Sequence, residues 1–350
     1  MIDLTQQSYI RFFLGLRMSG LILIVFIFSL LSCNRKIPSV GLFVYNENDP
    51  YITVFAQQIM KEAENKIEVT LFFADNSQVI QNEQIDHFIE TKPDLVFVNP
   101  VDRLGSFAII HRLKNENIPA IFFNREPLPI DLALWDKVWY VGARAEQSSQ
   151  LQASLVMDLF GDNPLSLNSY DRNRDGIIQT IILKGEQGHQ DAETRTSEVQ
   201  RSFEKAGFKI EILAIEVANW SGEEAYSRMG RLLALWKDSI ELVIANNDDM
   251  AIGAIARMRQ NGLFQDDNEN GKIDRNDTTW IPVVGIDGLA EAEASIANGY
   301  LYGTVRNDSK KMAEVMIHFA ENLFQGNLPT DIHLDREKYI WIDYQPYISQ

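Results

Sequence analysis

The sequence predicts an α/β protein built from two similar lobes, each a doubly wound sheet of parallel strands. Short apolar segments alternate with segments of helical periodicity along most of the chain, which is the pattern of consecutive βαβ units. This alternation produces more strands than one ordinary sheet holds. The chain has 350 residues, of which 45% are hydrophobic, so it is long enough to bury two cores. Two Rossmann-like lobes are therefore the more economical arrangement.

The first half of the pattern contains four strands and three helices. Each predicted strand is a short run of aliphatic, β-branched or aromatic residues, and each predicted helix repeats apolar residues at spacings of three and four. The predicted strands are 40–45, 67–74, 95–98 and 120–123, and the predicted helices are 51–65, 77–91 and 106–117.

The same alternation resumes in the second half. The predicted helices are 147–160, 194–206, 222–235, 250–261 and 289–298, and the predicted strands are 180–183, 209–217, 242–245, 283–286 and 302–305. We expect the chain to cross between lobes near Gly142, near Asn307 and within residues 326–334, so that three segments form a hinge. The N-terminal lobe is then residues 39–143 with 308–329, and the C-terminal lobe is residues 144–307 with 330–350.

The N-terminus has the features of an export signal. Two arginines precede an apolar run, residues 20–31, which is too short to span a bilayer and has the length of a signal-peptide hydrophobic region. The run ends in Leu-Leu-Ser-Cys, which resembles a bacterial lipobox, and Cys33 is the only cysteine. We expect residues 1–32 to be a lipoprotein signal peptide, Cys33 to carry lipid on the periplasmic side, and residues 33–38 to form a tether. The alternative is a buried N-terminal helix.

The charge balance excludes several classes of partner. The formal net charge is -17, so the chain lacks the basic surface that nucleic acid requires. The same charge disfavours acidic and phosphorylated ligands. A neutral ligand is expected, and the membrane is contacted only through the lipid anchor.

Polar and aromatic residues follow nearly every predicted strand. In open parallel sheets, ligands bind beyond the carboxyl ends of the strands. Each such Asn or Asp is, taken alone, more often a turn residue or helix cap, and core packing is the alternative for the tryptophan. Together they suit a polyol, because carboxylates accept from hydroxyls, Arg and His donate, amides do both and aromatic rings cover C–H faces. The candidates are Asp49, Tyr51, Asn99, His189, Asp191, Arg195, Trp220, Asn247, Asp287 and Asn307.

Residues 171–179 have the spacing of a calcium loop, D-x-N-x-D-G-x-x-Q. Oxygen-bearing side chains stand at positions one, three and five, a glycine permits the turn, and a backbone carbonyl follows. Position twelve lacks the usual Glu, since Ile182 stands there, so a remote carboxylate must complete the shell. The candidate ligands within the loop are Asp171, Asn173, Asp175, the carbonyl of Ile177 and Gln179.

A second run, residues 266–277, follows the loop pattern through position twelve. Its last carboxylate belongs to an Asp, which is one methylene shorter than the usual Glu and so reaches less well for bidentate ligation. We expect weaker Ca²⁺ binding here, and the alternative is an acidic, solvated surface loop. The candidate ligands are Asp266, Asn268, Asn270, the carbonyl of Lys272, Asp274 and Asp277.

Six short motifs resemble the periplasmic galactose/glucose-binding proteins of bacterial ABC import, which have the type I periplasmic-binding fold. They are residues 122–127 (FFNREP), 140–142, 183–186, 189–195, 243–248 and 303–308, and the resemblance runs from Val40 to about Pro329. It implies that the ten candidate residues hold the sugar, with Tyr51 where the family more often has Phe. It also implies that Glu241 is the remote calcium ligand. The 266–277 loop is an insertion relative to this family, and the lipobox replaces its freely soluble form.

The resemblance implies a monomeric, lipid-tethered receptor that captures D-galactose or D-glucose between closing lobes and delivers it to an ABC permease. A sensor that presents the closed state to a chemoreceptor or kinase is the alternative. Enzyme hypotheses would use His189 and Asp191 as an acid/base pair, or Asp191 and Asp287 as a glycosidase pair. They are disfavoured because no nucleophile with its base is present. A repressor is excluded by the missing helix-turn-helix and by the export signal.

Overall fold

Two six-stranded sheets organise the chain. The computed structural model describes residues 37–161 and 163–348, so the predicted signal peptide and Cys33 lie outside the described residues. The strands are β1 (Ser39–Val44), β2 (Glu68–Phe73), β3 (Leu95–Val98), β4 (Ala120–Phe123), β5 (Val138–Gly142), β6 (Ile178–Lys184), β7 (Ile210–Val217), β8 (Leu242–Ala245), β9 (Val283–Val284), β10 (Gly303–Arg306), β11 (Tyr339–Trp341) and β12 (Gln345–Ile348). The first sheet has the order β11-β5-β4-β3-β1-β2 and the second the order β12-β10-β9-β8-β6-β7.

The helices connect successive strands and cover the sheets. They are α1 (Pro50–Ala63), α2 (Gln78–Ile89), α3 (Ser106–Asn115), α4 (Pro129–Leu132), α5 (Ala145–Phe160), α6 (Gln190–Ala206), α7 (Gly222–Trp236), α8 (Asp248–Gln260), α9 (Ala290–Ala297) and α10 (Ser309–Phe324), with one turn of 3₁₀ helix at Arg103–Gly105. In the part of the chain that the structure describes, no helix is both long and apolar enough to span a bilayer.

Burial of the central strands explains why they read as continuous apolar runs. Every residue of β3, β4, β5, β6 and β8 is buried, as expected where helices lie on both faces of a parallel sheet. All pairings in the first sheet are parallel. In the second sheet only β12 runs antiparallel, against β10. The predicted α/β fold of two parallel-sheet lobes is confirmed. β5 and α4 are absent from the predicted elements; α4 is a single turn of four residues, which is too short to show a helical period.

The C-terminal segment requires a correction. Residues 330–350 were expected to belong wholly to the second lobe, but β11 pairs in parallel with β5 in the first sheet, with Ile340 opposite Val141. The chain therefore crosses to the second sheet only after Trp341, and not within residues 326–334. A three-residue strand carries no pattern that assigns it to one sheet or the other.

Helix caps place polar side chains at the carboxyl ends of the strands. Asp49 accepts a hydrogen bond from the Ile52 backbone N–H (3.1 Å) and so begins α1. His189 and Asn247 likewise cap α6 and α8. Each capping residue belongs to the turn that follows a strand, so its side chain is held at the carboxyl-end edge of its sheet.

Candidate functional site

A cavity between the two sheets collects polar side chains from the strand ends of both. Eight of the ten predicted residues line it, and the exceptions are Asn99 and Asn307. The first lobe contributes Tyr45, Asp49, Tyr51, Ile52, Asn124 and Arg125, and the second contributes His189, Asp191, Arg195, Trp220, Asn247 and Asp287. The wall therefore combines carboxylates, cations, amides and aromatic rings.

Arg195 is the buried cation of the site. Its Nη1 donates to the Asn246 carbonyl (2.7 Å), and its Nη2 donates to Tyr344 Oη (3.0 Å) and lies 3.4 Å from Asp191 Oδ2. Burial acts to lower the pKa of Arg195, but Tyr344, Asp191 and Asp287 more than offset this and raise it. The guanidinium therefore stays charged. Its Nε is buried without a hydrogen-bond partner among the described residues, which leaves one donor free.

Two carboxylates flank this cation, the buried Asp287 and the partly buried Asp191. Asp191 and Asp287 both have raised pKa values because burial disfavours their charge, while Arg195 acts in the opposite direction. Asp287 Oδ1 lies 4.0 Å from Arg195 Nη1. The backbone φ of Asp287 is +133°, a conformation that non-glycine residues rarely adopt and that clusters at functional sites. Both carboxylates have capacity to accept further hydrogen bonds from a ligand.

His189 is a neutral hydrogen-bond donor toward the cavity. Its Nδ1 accepts from the Asp191 backbone N–H at 3.1 Å, so that nitrogen carries no proton and Nε2 does. Burial, helped by the charges of Arg125 and Arg195, holds the pKa of His189 well below its usual value. The imidazole therefore donates through Nε2–H throughout the neutral pH range.

This depressed pKa predicts an acid sensitivity that His189→Asn removes. The unfolded chain takes up a proton at His189 near pH 6.5 and the folded chain does not, so folding stability falls as pH drops below 6.5, by about 1.4 kcal/mol per pH unit. Asn keeps the cap and does not titrate. Between pH 7.5 and pH 5.5, urea unfolding should show wild type losing about 1.4 kcal/mol of folding free energy relative to the variant. If wild type and His189→Asn differed in free energy of unfolding by the same amount at both pH values, His189 would not be neutral in the folded protein.

Two aromatic side chains approach the cavity from opposite lobes. Trp220 has its carbonyl fixed by Asn247 Nδ2 (3.1 Å) and its ring set edge-on to the His189 ring, with centroids 5.1 Å apart. Gly185 is required beneath it, because a Cβ there would lie 2.4 Å from the indole. Tyr51 is buried in the first lobe and packs edge-on to Phe55. Core packing and cavity lining are thus both roles of Trp220.

The structure adds cavity residues that the sequence analysis did not select. Tyr45 Oη donates to Asp49, and the Arg125 guanidinium lies 3.7 Å from the centroid of the Tyr45 ring. Arg125 Nη2 also reaches Glu186 Oε2 of the second lobe at 2.9 Å. Arg125 belongs to the FFNREP motif, one of the six on which the family resemblance rests. That motif was the feature of the sequence from which Arg125 could have been selected as a cavity residue.

A second hydrogen bond joins the lobes beside this ion pair. Gln190 Nε2 of the second lobe donates to Glu126 Oε2 of the first at 3.1 Å. Together with the Arg125–Glu186 pair, it ties the two lobes to each other beside the cavity.

Asn99 and Asn307 are near the cavity but do not line it. Asn99 is fully buried, and its Nδ2 donates to the Phe123 carbonyl and to Asn124 Oδ1, both at 3.2 Å, so it ties neighbouring strand ends together. Asn307 donates its backbone N–H to the Asp287 carbonyl at 2.9 Å. Asn99 and Asn307 do follow the ends of their strands, as predicted. The direction of each side chain depends on contacts with neighbouring strands, which the local sequence does not reveal.

The first loop with calcium-type spacing lies against the Glu241 carboxylate. Glu241 accepts from the backbone N–H groups of Arg172 (2.6 Å) and Gln179 (3.3 Å), and burial raises its pKa. Gln179 Oε1 is buried and has no hydrogen-bond partner within the described part of the chain. An unpaired buried oxygen next to several carboxylates is what a bound hard cation would satisfy, so the residues fit calcium.

The donor set of this loop is mixed. Over residues 37–161 and 163–348, no group of three His, Cys, Asp or Glu side chains is gathered as a metal-binding cluster. Any ion here would therefore depend on amide and backbone oxygens as well as on Asp171, Asp175 and Glu241.

The carboxylates of the second loop serve the loop's own backbone. Asp266 accepts from the N–H groups of Asn270 (3.0 Å) and Gly271 (2.8 Å), and Asp277 accepts from that of Asp274 (2.9 Å). The Asn276 N–H and the Asn270 side chain lower the pKa of Asp274 to about 2. No buried, unpaired side-chain oxygen occurs in this loop, so its fit to calcium is weaker than that of the first.

Known proteins match almost the whole chain. Residues 40–328 match the family described as periplasmic binding protein domain. The D-galactose/methyl-galactoside binding periplasmic protein MglB of Haemophilus influenzae is 32% identical over 295 residues, 83% of each chain. A Bacillus halodurans ABC transporter solute binding protein with bound myo-inositol has TM-score 0.71 and 24% identity, over 91% of this chain and 96% of that chain. One from Actinobacillus succinogenes with bound D-allose has TM-score 0.73 and 20% identity, over 89% and 97%.

These matches confirm the resemblance stated from the motifs. The matched relatives are binding proteins, which confirms the prediction that the chain is not an enzyme.

Proposed function

Because the chain belongs to the periplasmic binding protein domain family, we propose that it is an extracytoplasmic receptor for a monosaccharide, D-galactose or D-glucose, which it delivers to an ABC permease. The observation that carries this proposal is the buried cluster of Arg195 between Asp191 and Asp287, which opens on a cavity walled by Tyr51 and Trp220. The 32% identity to a galactose-binding relative supports the choice of hexose.

The chemistry of the wall suits a neutral sugar. Hydroxyl groups donate to Asp191 and Asp287 and accept from Arg195 and from His189 Nε2–H, while the two aromatic rings cover the C–H faces. Each hydrogen bond to a charged group contributes about 1.5–3 kcal/mol net. The interlobe contacts Arg125–Glu186 and Gln190–Glu126 hold the lobes together over the sugar, and a permease can recognise this closed state.

A thermal-shift screen tests the sugar class. D-galactose and D-glucose should raise the melting temperature, and ribose, allose and myo-inositol provide the competing classes. L-galactose is the matched control, since it has the same composition and cannot satisfy the same donors and acceptors. Titration calorimetry then ranks the hits. A screen in which no tested ligand stabilises the protein would refute the proposed function, and stabilisation by ribose, allose or myo-inositol alone would refute the choice of D-galactose or D-glucose.

We propose that the first loop binds one structural Ca²⁺ through Asp171, Asn173, Asp175, the Ile177 carbonyl, Gln179 and Glu241. The unpaired Gln179 Oε1 supports this. The ion would tie the loop to β8 through Glu241 and so brace the second lobe. The second loop, residues 266–277, is proposed as a weaker site.

We propose that the protein is exported and anchored through lipid on Cys33, on the evidence of the lipobox-like Leu-Leu-Ser-Cys. Cys33→Ser should move the protein from the membrane fraction to the soluble fraction, because removing the acyl chains removes about 0.8 kcal/mol per buried methylene. Fractionation of cells that express each form measures this. Wild-type protein found wholly in the soluble fraction would refute the anchor.

A further inference from the structure

Four consecutive residues, Asn246 to Asp249, form the turn after β8 and the start of α8, and each holds a segment that carries a cavity residue. The Asn246 carbonyl accepts from Arg195, Asn247 Nδ2 donates to the Trp220 carbonyl, and Asp249 Oδ2 accepts from the N–H of Gly222, two residues after Trp220. The remaining member, Asp248, is fully buried and does not line the cavity.

Asp248 joins α8 to the turn that carries Asp287. Its Oδ2 accepts from the backbone N–H groups of Gly288 (2.7 Å) and Leu289 (2.9 Å), and its Oδ1 accepts from Thr304 Oγ1 in β10 (2.6 Å). These two N–H groups belong to the residues directly after Asp287. Without the carboxylate, both would be buried donors lacking a partner, which costs about 1–3 kcal/mol each.

The surrounding backbone leaves little freedom for this arrangement. The φ of Asp287 is +133° and that of Gly288 is +76°, so the turn depends on outside contacts to keep its shape. A Cβ at Gly285 would lie 2.2 Å from Asp248 Oδ1, so the carboxylate fills the space beneath the turn. On the opposite side the Asp287 N–H donates to the Val305 carbonyl at 2.8 Å.

We infer that Asp248 is a positioning residue that fixes the turn at 287–289 and thereby aims the Asp287 carboxylate at the sugar. The identity of the ligand in this inference rests on the proposed function. The role of Asp248 in holding the turn is independent of that function. Burial raises the pKa of Asp248 to about 6, against the hydrogen bonds from Thr304, Leu289 and Gly288. An amide could replace the carboxylate, because its oxygen accepts from the two N–H groups while its NH₂ donates to the Thr304 hydroxyl. Geometry, and not charge, is therefore the property that matters.

Asp248→Ala should lower sugar affinity about 10- to 100-fold, the loss of one hydrogen bond to a charged group. Asp248→Asn should stay within about threefold of wild type, since the amide reproduces all three contacts. In an Asp287→Asn background the effect of Asp248→Ala should shrink, and in a Trp220→Phe background it should persist. An equal loss in both backgrounds would mean a general structural role and would overturn the inference.

Hydrogen exchange separates this inference from the proposed function. Without any sugar, amides 288 and 289 should exchange faster in Asp248→Ala and at the wild-type rate in Asp248→Asn. If wild type binds no sugar, the function fails and exchange alone decides the positioning role. Unchanged exchange in the alanine variant would overturn it. Should Asp248→Ala not fold, Thr304→Val removes one of the three bonds and should produce a smaller loss of the same sign in both measurements.

Discussion

Asp287→Ala should abolish sugar binding and leave the fold intact. The carboxylate is the acceptor for ligand hydroxyls on the β9–β10 side of the cavity, and each hydrogen bond to it contributes about 1.5–3 kcal/mol, so losing two of them lowers affinity on the order of 10²- to 10⁴-fold. Asp191→Ala should have a similar effect, because Asp191 also orients Arg195. Titration calorimetry with galactose and glucose measures the loss, and circular dichroism checks the fold.

The matched control is Asp86→Ala, which removes an exposed carboxylate paired with Arg112 at 3.2 Å. Surface pairs of this kind contribute little, so affinity should stay at the wild-type level. The assignment of the site would be wrong if both Asp287→Ala and Asp191→Ala bound sugar as tightly as wild type.

Chelation of calcium should lower the melting temperature. A ligand that binds only the folded state stabilises it by RT ln(1 + [L]/Kd), about 2.7 kcal/mol at a hundredfold excess over Kd. Glu241→Gln should mimic chelation, because it removes a charged ligand and places an NH₂ group against one of the two N–H donors, that of Arg172 or that of Gln179. In that variant a chelator should not lower the melting temperature further. A further decrease would mean that the variant still binds the ion and is destabilised only by the loss of the loop's own hydrogen bonds.

Counting bound calcium distinguishes the two loops. Two ions per chain at millimolar free metal, one of them lost in Asp266→Ala, would support both sites. A stoichiometry of one, lost in Asp171→Ala and unchanged in Asp266→Ala, would show that the second loop is a solvated turn. A melting temperature that does not respond to chelator, together with zero bound calcium, would refute both.

Local pattern was sufficient to predict most of the elements and much of the site. The predicted bounds of β3, β4 and β8 agree with the structure residue for residue, because buried parallel strands are short apolar runs between polar turns. Residues such as Asp49 and Asn247 could be found because a strand-end position and a helix cap coincide in the sequence. That coincidence is a local feature of a βαβ unit.

What could not be predicted depends on contacts between distant segments. Tyr344 follows the last crossing between sheets, yet its hydroxyl accepts from Arg195 at 3.0 Å. Tyr45 and Arg125 stack on each other from different strand ends. No periodicity in the sequence reports which side chains from distant segments contact one another, and the same reason underlies the incorrect placement of β11.

The position of β11 also determines when the first lobe can be completed during synthesis. The first sheet is formed by strands within residues 39–142 and by a strand at residues 339–341. The outer edge of β5 therefore remains unpaired until residues 339–341 have been synthesised. Such distant pairing closes late in folding, since loop-closure entropy opposes it until the last segment is present. A nascent chain truncated before β11 exposes an open strand edge.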